Sequence, residues 1–303
     1  MKYIIFIYVF AFFCVRSYCQ INDPLYKEGV KSFRKNDLPG ALVWFEKAIK
    51  ANPDSAEAYL MHGSTCLRMQ RWRQAIADYD KCVELHYVSP VTYAYRGLAK
   101  YNFQDYKGAL EDFNEQVKLS PKESDNYKNR AMAKARLTDL QGAIADYDKA
   151  IQLNPNNAGY WALRGAVKTK LSLFQEGVID LNKALELDPD NASAYSFRGL
   201  NKVLTKDYKG ALSDLNKSIA LDPMGLEDAY LVRGQARICL KDYKAALDDL
   251  NFVLKFTPDD KYALGFSASA KAALGDKAGA CADYRKSIQM GGTPVPGAEN
   301  YCK

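Results

Sequence analysis

The stretch "KDYKGALSDLNKSIALDP" at residues 206–223 returns, with few changes, as "KDYKAALDDLNFVLKFTP" at residues 241–258. Aligning the chain on itself at a period of 34 residues brings nearly all of it into register, with one extra residue near Gly225 and Leu226. A fixed period of this length is typical of a copied structural unit rather than of one compact core. The sequence therefore predicts an array of similar units, which would begin at residues 22, 56, 90, 124, 158, 192, 227 and 261.

Small residues recur at two fixed places in every unit and predict how each unit folds. The eighth positions are Gly29, Gly63, Gly97, Ala131, Gly165, Gly199, Gly234 and Ala268, and the twentieth positions are Ala41, Ala75, Ala109, Ala143, Gly177, Ala211, Ala246 and Ala280. Small residues on facing helices let two antiparallel helices approach closely, and an aromatic residue four positions later, such as Phe45, fills the space beside them. Most units end in a proline such as Pro155, which cannot continue a helix. Each unit is thus predicted to be a pair of antiparallel helices.

This pattern resembles the tetratricopeptide repeat, whose signature joins an early aromatic residue and a Leu-Gly pair to a later Ala-x-x-x-Phe and a closing proline. The resemblance covers residues 22–294. It implies an all-α fold, a right-handed α-solenoid superhelix of about eight tandem helix-turn-helix repeats with one concave face. The predicted organisation is a signal peptide at 1–19, the repeat array at 20–294 and a C-terminal tail at 295–303.

The first twenty residues, "MKYIIFIYVFAFFCVRSYCQ", place Lys2 before an apolar run over residues 3–15. Such a run is too short to span a bilayer as a helix and suits the apolar region of a secretory signal. Cleavage after Cys19 would leave Gln20 as the new terminus and no stable membrane span. An uncleaved anchor and a lipoprotein signal are the alternatives. Because the signal resembles those of exported Bacteroidetes proteins, we expect an exported chain that is periplasmic, outer-membrane-associated or secreted.

Residues suited to chemistry are sparse in this sequence. The two histidines, His62 and His86, lack the spacing of zinc motifs, and phosphate-cradling glycine loops are absent. His62 stands where other units carry arginine and is expected to be a packed structural residue. Acidic and basic residues are interleaved and the net charge is +6, which argues against a nucleic-acid partner. No catalytic, cofactor or metal site is predicted, and we expect a protein that is not an enzyme.

Charged residues recur with the same period. Arginine occupies the seventh position in Arg96, Arg130, Arg164, Arg198 and Arg233, and aspartate the twenty-third in Asp78, Asp112, Asp146, Asp180, Asp214, Asp249 and Asp283. Pairing each aspartate with the arginine of the following unit leaves fewer mismatches than pairing within a unit. We therefore expect ion pairs between units, with a lysine or arginine one helical turn beyond each arginine, such as Lys100, sharing the carboxylate.

Five of the seven cysteines follow residue 19, and an exported chain can form disulfides. The preferred pair is Cys281 with Cys302, because their bond would hold a tail that contains two prolines. Exported members of the family resemble this chain in having an Ala-Cys near the last helix and a terminal Tyr-Cys. Two unlinked thiols are the alternative.

Resemblance to the family also implies where a partner would bind. Its members hold an extended peptide or a partner's helix in the concave groove, on particular first-helix positions. Here the candidates are Tyr101, Asn102, Lys128, Arg136, Thr169, Lys170, Ser196 and Gln235. The expected function is that of a non-enzymatic scaffold that binds a peptide or partner protein. The alternatives are a docking subunit of an envelope enzyme or transport complex and a glycan- or peptidoglycan-associated module. The oligomeric state is left open.

Overall fold

The structure is a computed structural model that describes residues 23–224, 227–293 and Cys302. Those residues form sixteen α-helices and no strand. They divide after Leu153 into two compact units, unit 1 and unit 2, with four helical pairs in each. The fold is all-α, a solenoid of tandem helical repeats. The predicted signal peptide at 1–19 lies outside the described residues, as does the tail at 295–303 apart from Cys302.

Each repeat consists of a first helix, with an odd number, and a second helix, with an even number. Unit 1 contains α1 (Pro24–Arg34), α2 (Leu38–Ala51), α3 (Ala56–Arg68), α4 (Trp72–Glu84), α5 (Pro90–Asn102), α6 (Tyr106–Leu119), α7 (Ser124–Arg136) and α8 (Leu140–Leu153). Unit 2 contains α9 (Ala158–Lys170), α10 (Phe174–Leu187), α11 (Ala192–Leu204), α12 (Tyr208–Leu221), α13 (Glu227–Cys239), α14 (Tyr243–Phe256), α15 (Lys261–Ala273) and α16 (Lys277–Gln289). From the second repeat onward, each first helix begins at the residue where the sequence places the start of that repeat.

A short turn joins the two helices of every repeat. Its key residue has a left-handed backbone, as at Gln104 with φ of 66°, and this conformation ends the first helix. An aspartate then begins most of the second helices: Asp105 accepts a hydrogen bond from the backbone N–H of Gly108 at 3.0 Å. The cap satisfies a backbone donor that has no partner within the helix, so the turn fixes the start of the second helix.

The two helices of a repeat approach closely at the small residues that the period predicts. A Cβ atom added to Gly97 would lie 2.6 Å from Cε1 of Phe113, which is closer than any real side chain allows. In unit 2 the backbones themselves meet, because a Cβ on Gly165 would lie 2.9 Å from the carbonyl oxygen of Gly177. The match between small and large residues therefore sets the distance within each helical pair.

First helices also contact the first helices of neighbouring repeats within their unit, from α1 to α3, α5 and α7 and from α9 to α11, α13 and α15. Second helices of successive repeats make no comparable contact among the described residues. A stack in which one set of helices lies closer together curves toward that set, so the first helices line the inner side of each unit. The surface that α1, α3, α5 and α7 present to solvent is called here the inner face of unit 1.

The aspartates of the charge ladder pair within their own repeats, so the prediction of ion pairs to the following repeat is wrong. Asp112 accepts hydrogen bonds from Arg96, with Nη2 at 2.5 Å, and Lys100 Nζ lies 2.9 Å from the same carboxylate. The same arrangement recurs at Arg130 with Asp146, Arg164 with Asp180, Arg198 with Asp214 and Arg233 with Asp249. The predicted sharing by a second cation is confirmed at Lys100, Lys134, Lys168, Lys202 and Arg237.

Four of these arginines, Arg96, Arg130, Arg198 and Arg233, nevertheless reach the preceding repeat of their own unit through Nη1. Arg96 Nη1 lies 2.8 Å from Asp80 Oδ1, and Arg198 Nη1 donates to Asn182 Oδ1 at 2.7 Å. Asp80 and Asn182 occupy the twenty-fifth position of their repeats, two residues after the aspartate of the ladder. In these four cases the arginine joins two neighbouring repeats of one unit, and the partner residue differs from the one that the sequence suggested.

The structure contains a disulfide bond between Cys281 on α16 and Cys302, whose Cα atoms lie 5.0 Å apart. This bond links the C-terminal tail to the last helix. Cys66 and Cys82 are buried free cysteines, and Cys239 is an exposed one. Within the described ranges, no helix has the length and apolar character needed to cross a membrane.

Candidate partner-binding face

The inner face of unit 1 begins with a hollow along α1, which is the first helix of the array. This hollow has a volume of about 550 Å³ and its wall combines apolar and basic side chains, namely Tyr26, Lys27, Val30, Lys31, Arg34 and Lys35. Next to it on α3, burial raises the pKa of Glu57, which is half-buried. The α1 end of the face is therefore open, aromatic and mainly basic.

A second pocket, of about 350 Å³, lies where α5 meets the junction between α6 and α7. Its apolar wall comes from Val91, Ala94 and Tyr95 on α5, and two of these side chains are accessible, with 47% of Val91 and 37% of Tyr95 exposed. Exposed apolar side chains that border a concave site are a common feature of protein-binding surfaces. Unlike the hollow along α1, this pocket is walled by residues of three helices, α5, α6 and α7.

The opposite wall of this pocket is a buried network of amides. Gln116 at the end of α6 donates through Nε2 to Asn126 Oδ1 on α7 at 2.6 Å. Asn126 Nδ2 in turn donates to the carbonyl oxygen of Ser120 at 2.7 Å, and Asn129 Nδ2 donates to Gln116 Oε1 at 3.4 Å. Because these amides satisfy one another, they hold the wall of the pocket in one arrangement.

Two of the residues predicted from the sequence meet across repeats on the inner face. Arg136 at the end of α7 donates through Nε to Tyr101 Oη on α5 at 3.0 Å. Its guanidinium lies 5.9 Å from the ring centres of both Tyr101 and Tyr106, and those two rings meet edge to face at 5.3 Å. Arg136 is an exposed residue, so this aromatic and cationic cluster is accessible to a partner.

Asn102 and Lys128 lie on the same two helices but engage neighbours on their own helix. Asn102 is exposed and donates through Nδ2 to the carbonyl oxygen of Leu98 at 2.8 Å. Lys128 Nζ lies 3.0 Å from Asp125 Oδ1, and 29% of the lysine side chain is exposed. Both side chains border the inner face, where a partner would compete with these local contacts.

Two candidates in unit 2 are corrected by the structure. Thr169 is buried because Asn201 on the next first helix donates to Thr169 Oγ1 at 2.8 Å, and Thr169 in turn donates to the carbonyl oxygen of Gly165. Ser196 is buried as well, with 6% exposed. Neither side chain is available to a partner. Lys170 is exposed and Gln235 half-buried, and both stay predictions.

Sequence reasoning missed the pocket formed by Val91, Tyr95, Gln116 and Asn126. A signal for it was present, since Gln116 and Asn126 are at positions twenty-seven and three, where the preceding junction has Cys82 and Thr92. Two amides at one junction indicate a polar contact across it. The first-helix positions that line the groove in this family include neither residue, so the predicted site contains neither.

The comparisons with known proteins agree with this architecture. Residues 56–86 and 124–157 each match a family model described as "Tetratricopeptide repeat". The first match covers α3 and α4, and the second covers α7 and α8. No curated protein matches this chain.

Solved structures of several proteins share the fold. A tetratricopeptide repeat protein from Parabacteroides merdae is similar with a TM-score of 0.71 at 17% identity, over 81% of this chain and 97% of its own. The Cut9–Hcn1 hetero-tetramer of the APC/C has a chain with a TM-score of 0.70 at 16% identity, over 87% of this chain. This chain spans about half of that one, 52%. MamA matches with a TM-score of 0.51 at 26% identity, over 54% of this chain and 96% of MamA.

The repeat spacing, the close contact of small and aromatic residues within each helical pair, and both sets of matches lead to one family. Its helical pairs form a fold that generally serves as a scaffold for interactions between proteins. The chain therefore contains tetratricopeptide repeats, matched at residues 56–86 and 124–157, and has the fold of tetratricopeptide-repeat proteins.

Proposed function

We propose that this protein binds an extended segment of a partner protein on the inner face of unit 1, across α5 and α7, and carries out no chemistry itself. The observation that carries the proposal is the pocket beside Val91 and Tyr95, which opens on the same helix as the Tyr101–Arg136 cluster. One site offers an apolar wall and the other an exposed guanidinium.

The spacing of these two sites suggests what the partner segment contains. Residues 91 and 101 are separated by ten residues of α5, or about 15 Å at the rise of an α-helix. An extended chain covers this distance in about four or five residues. We therefore expect the segment to carry an apolar side chain for the pocket and, four or five residues away, an aspartate or glutamate for Arg136.

A selection from random displayed peptides on the chain without residues 1–19, followed by affinity measurements on the enriched peptides, tests this proposal. Val91→Asp should abolish the contribution of the peptide's apolar residue to binding. Arg136→Glu should lower the affinity for peptides with the acidic residue by at least about tenfold. The matched controls are Val43→Asp on α2, where Val43 is 48% exposed, and Lys107→Glu on α6. Neither control should change the affinity.

Charge reversal makes the test specific. A peptide in which lysine replaces the acidic residue should bind the Arg136→Glu variant better than the original protein. Enriched peptides that tolerate both Val91→Asp and Arg136→Glu would show that the partner binds elsewhere.

We also propose that the chain is exported and that cleavage after Cys19 leaves Gln20 at the terminus. The support is the charged and apolar pattern of residues 1–19, together with a disulfide that suits an oxidising compartment. Mass spectrometry of the native chain should give a terminus at residue 20. An intact residue 1 would contradict cleavage.

A further inference from the structure

The second repeat, α3 and α4, departs from the charge ladder at two positions together. In repeats three to seven the buried aspartate contacts an arginine at position seven and a lysine or arginine at position eleven. In the second repeat these positions hold His62 and Cys66, while the aspartate, Asp78, is retained. Both permanent cations are therefore replaced by side chains that bind transition metals, and the carboxylate beside them stays buried.

The three side chains converge at one point between α3 and α4. His62 Nδ1 lies 2.7 Å from Asp78 Oδ2 and 3.9 Å from Cys66 Sγ. One donor atom from each residue lies within 4.8 Å of the other two. Cys66 is fully buried and only 9% of Asp78 is exposed, so water competes little for either group.

We propose that His62, Cys66 and Asp78 bind a divalent cation of the zinc class, which neutralises Asp78 in place of the missing arginine and lysine. An imidazole nitrogen, a thiolate and a carboxylate are all ligands of Zn²⁺, and three protein ligands leave a fourth position for water. The thiolate favours zinc over magnesium or calcium, which prefer oxygen ligands.

Glu46 completes this arrangement from the first repeat. Its Oε1 lies 3.8 Å from His62 Nε2, a buried nitrogen for which the described residues provide no hydrogen-bond partner. When Nδ1 binds a metal, Nε2 carries the proton, and this N–H can donate a hydrogen bond to Glu46. A carboxylate is a common partner of the second nitrogen of a metal-bound histidine. Glu46 occupies position twenty-five, from which other repeats contact the arginine.

A bound divalent cation also balances the charge of this buried site. The two positive charges of M²⁺ offset one thiolate and one carboxylate, and the imidazole ligand is neutral, so the occupied site carries no net charge.

Small side-chain movements suffice for metal coordination. Bonds of about 2.0–2.3 Å at tetrahedral angles place zinc ligands roughly 3.3–3.7 Å from one another. The nitrogen and oxygen that are 2.7 Å apart must separate by less than about 1 Å, and the sulfur must approach the other two ligand atoms by at most about 1.5 Å. Rotation about side-chain bonds provides movements of this size.

A cobalt titration of the chain without residues 1–19, with its disulfide intact and Cys239→Ser as background, tests the proposal. Tetrahedral Co²⁺ bound to a thiolate absorbs in the near ultraviolet and in the visible, and Zn²⁺ should displace it. We expect one Co²⁺ per chain near neutral pH. No absorption at millimolar Co²⁺ would overturn the proposal.

Variants locate the site. Cys66→Ser should abolish the ultraviolet band, whereas Cys82→Ser, which changes the other buried free thiol, should retain it. The double variant H62R/C66K restores the cations of the other repeats and should remain folded without binding Co²⁺. Glu46→Gln should weaken binding by about 10- to 100-fold. A band that persists in Cys66→Ser would assign the metal to another thiol and overturn the site, whatever the folding of the double variant.

Discussion

The second and third repeats, both in unit 1, are built on the same spacing but balance their buried aspartate differently. In the third repeat, Asp112 contacts Arg96 and Lys100, whose charges are permanent at physiological pH. In the second repeat, the equivalent Asp78 faces His62 and Cys66, and both of these side chains can gain or lose a proton. The backbone arrangement is the same, yet one cluster has a fixed charge and the other can change.

This difference shows that the fold requires a hydrogen-bond donor beside the buried aspartate but not one particular cation. His62 bridges Asp78 and Glu46, the same two positions that Arg96 bridges at Asp112 and Asp80. In the eighth repeat, Ser267 Oγ donates to Asp283 at 2.6 Å and Lys271 supplies the charge. The repeat therefore tolerates change at position seven wherever the carboxylate keeps a donor.

The largest expected effect comes from removing the aspartate of the third repeat. Asp112→Ala leaves Arg96 and Lys100 partly buried without their shared carboxylate, and we expect it to lower the free energy of unfolding by about 3 kcal/mol. Asp78→Ala should cost only about 1 kcal/mol, because His62 can lose its proton and become neutral. Urea unfolding of both variants with a metal chelator present measures the difference. Equal losses would show that the two clusters are energetically equivalent.

The helical contact provides a second comparison between the same repeats. Gly97→Ala would place its Cβ 2.6 Å from the Phe113 ring, whereas the nearest atoms to a Cβ on Gly63 lie at 3.1 Å, on Asp78 and Tyr79. Overpacking of this kind costs about 2 kcal/mol, against about 1 kcal/mol gained by replacing glycine in a helix. We expect a net loss near 1 kcal/mol for Gly97→Ala and almost no change for Gly63→Ala. A stable Gly97→Ala chain would mean that Phe113 moves aside freely.

Repeat spacing made the fold predictable from the sequence. Gly97 and Phe113 are sixteen residues apart, and the same match of small and large residues recurs in the other repeats, so one period determines both helices of each pair. Each repetition is an independent observation of one structural unit. For this reason the starts of α3, α5 and α7 could be placed from the sequence to the residue.

Partner choices within that fold were less predictable. Asp112 lies sixteen residues after Arg96 and eighteen before Arg130, and periodicity does not distinguish these two pairings. Counting arginines favoured the wrong one, because His62 and Ser267 looked like mismatches although both contact the aspartate.

The exposure of the predicted groove residues was also hard to predict, because the position of a residue in the repeat does not show which neighbouring side chain covers it. Asn201 covers Thr169 through a hydrogen bond that is specific to these two repeats. The amide pair of Gln116 and Asn126 is equally local. Contacts that recur in every repeat could be predicted from the sequence. Contacts that occur at a single junction could not, because they depend on which two side chains meet there.

The two clusters should also differ in how they make the stability of the fold depend on pH. Burial acts to lower the pKa of His62, but hydrogen bonds to Asp78 and Cys66 and the charge of Asp78 outweigh it and raise the pKa to about 10. A raised pKa stabilises the folded state fully below the ordinary value of 6.5, and this contribution is lost as the pH rises toward 10. With a chelator present, the chain should lose more stability than the His62→Arg variant between pH 7 and pH 9. Parallel stability curves would show that His62 does not carry the charge.

The smallest expected effect concerns the start of the second helix. Asp105 caps α6, whereas the equivalent residue before α4 is Arg71, which makes no capping hydrogen bond with its side chain. The backbone angles are close, with φ and ψ of −87° and 63° at Arg71 and −82° and 75° at Asp105, so an aspartate fits at residue 71 without strain. Arg71→Asp should therefore raise the free energy of unfolding by about 0.5–1 kcal/mol, and Asp105→Ala should lower it by about 1 kcal/mol.

Urea unfolding of Arg71→Asp beside Arg71→Ala separates the cap from the loss of the arginine. A gain in the aspartate variant alone would show that the second repeat lacks a stabilising contact that its backbone is already shaped to accept. A gain in both would trace the effect to the removal of the positive charge from the positive end of α4, where the helix dipole disfavours it.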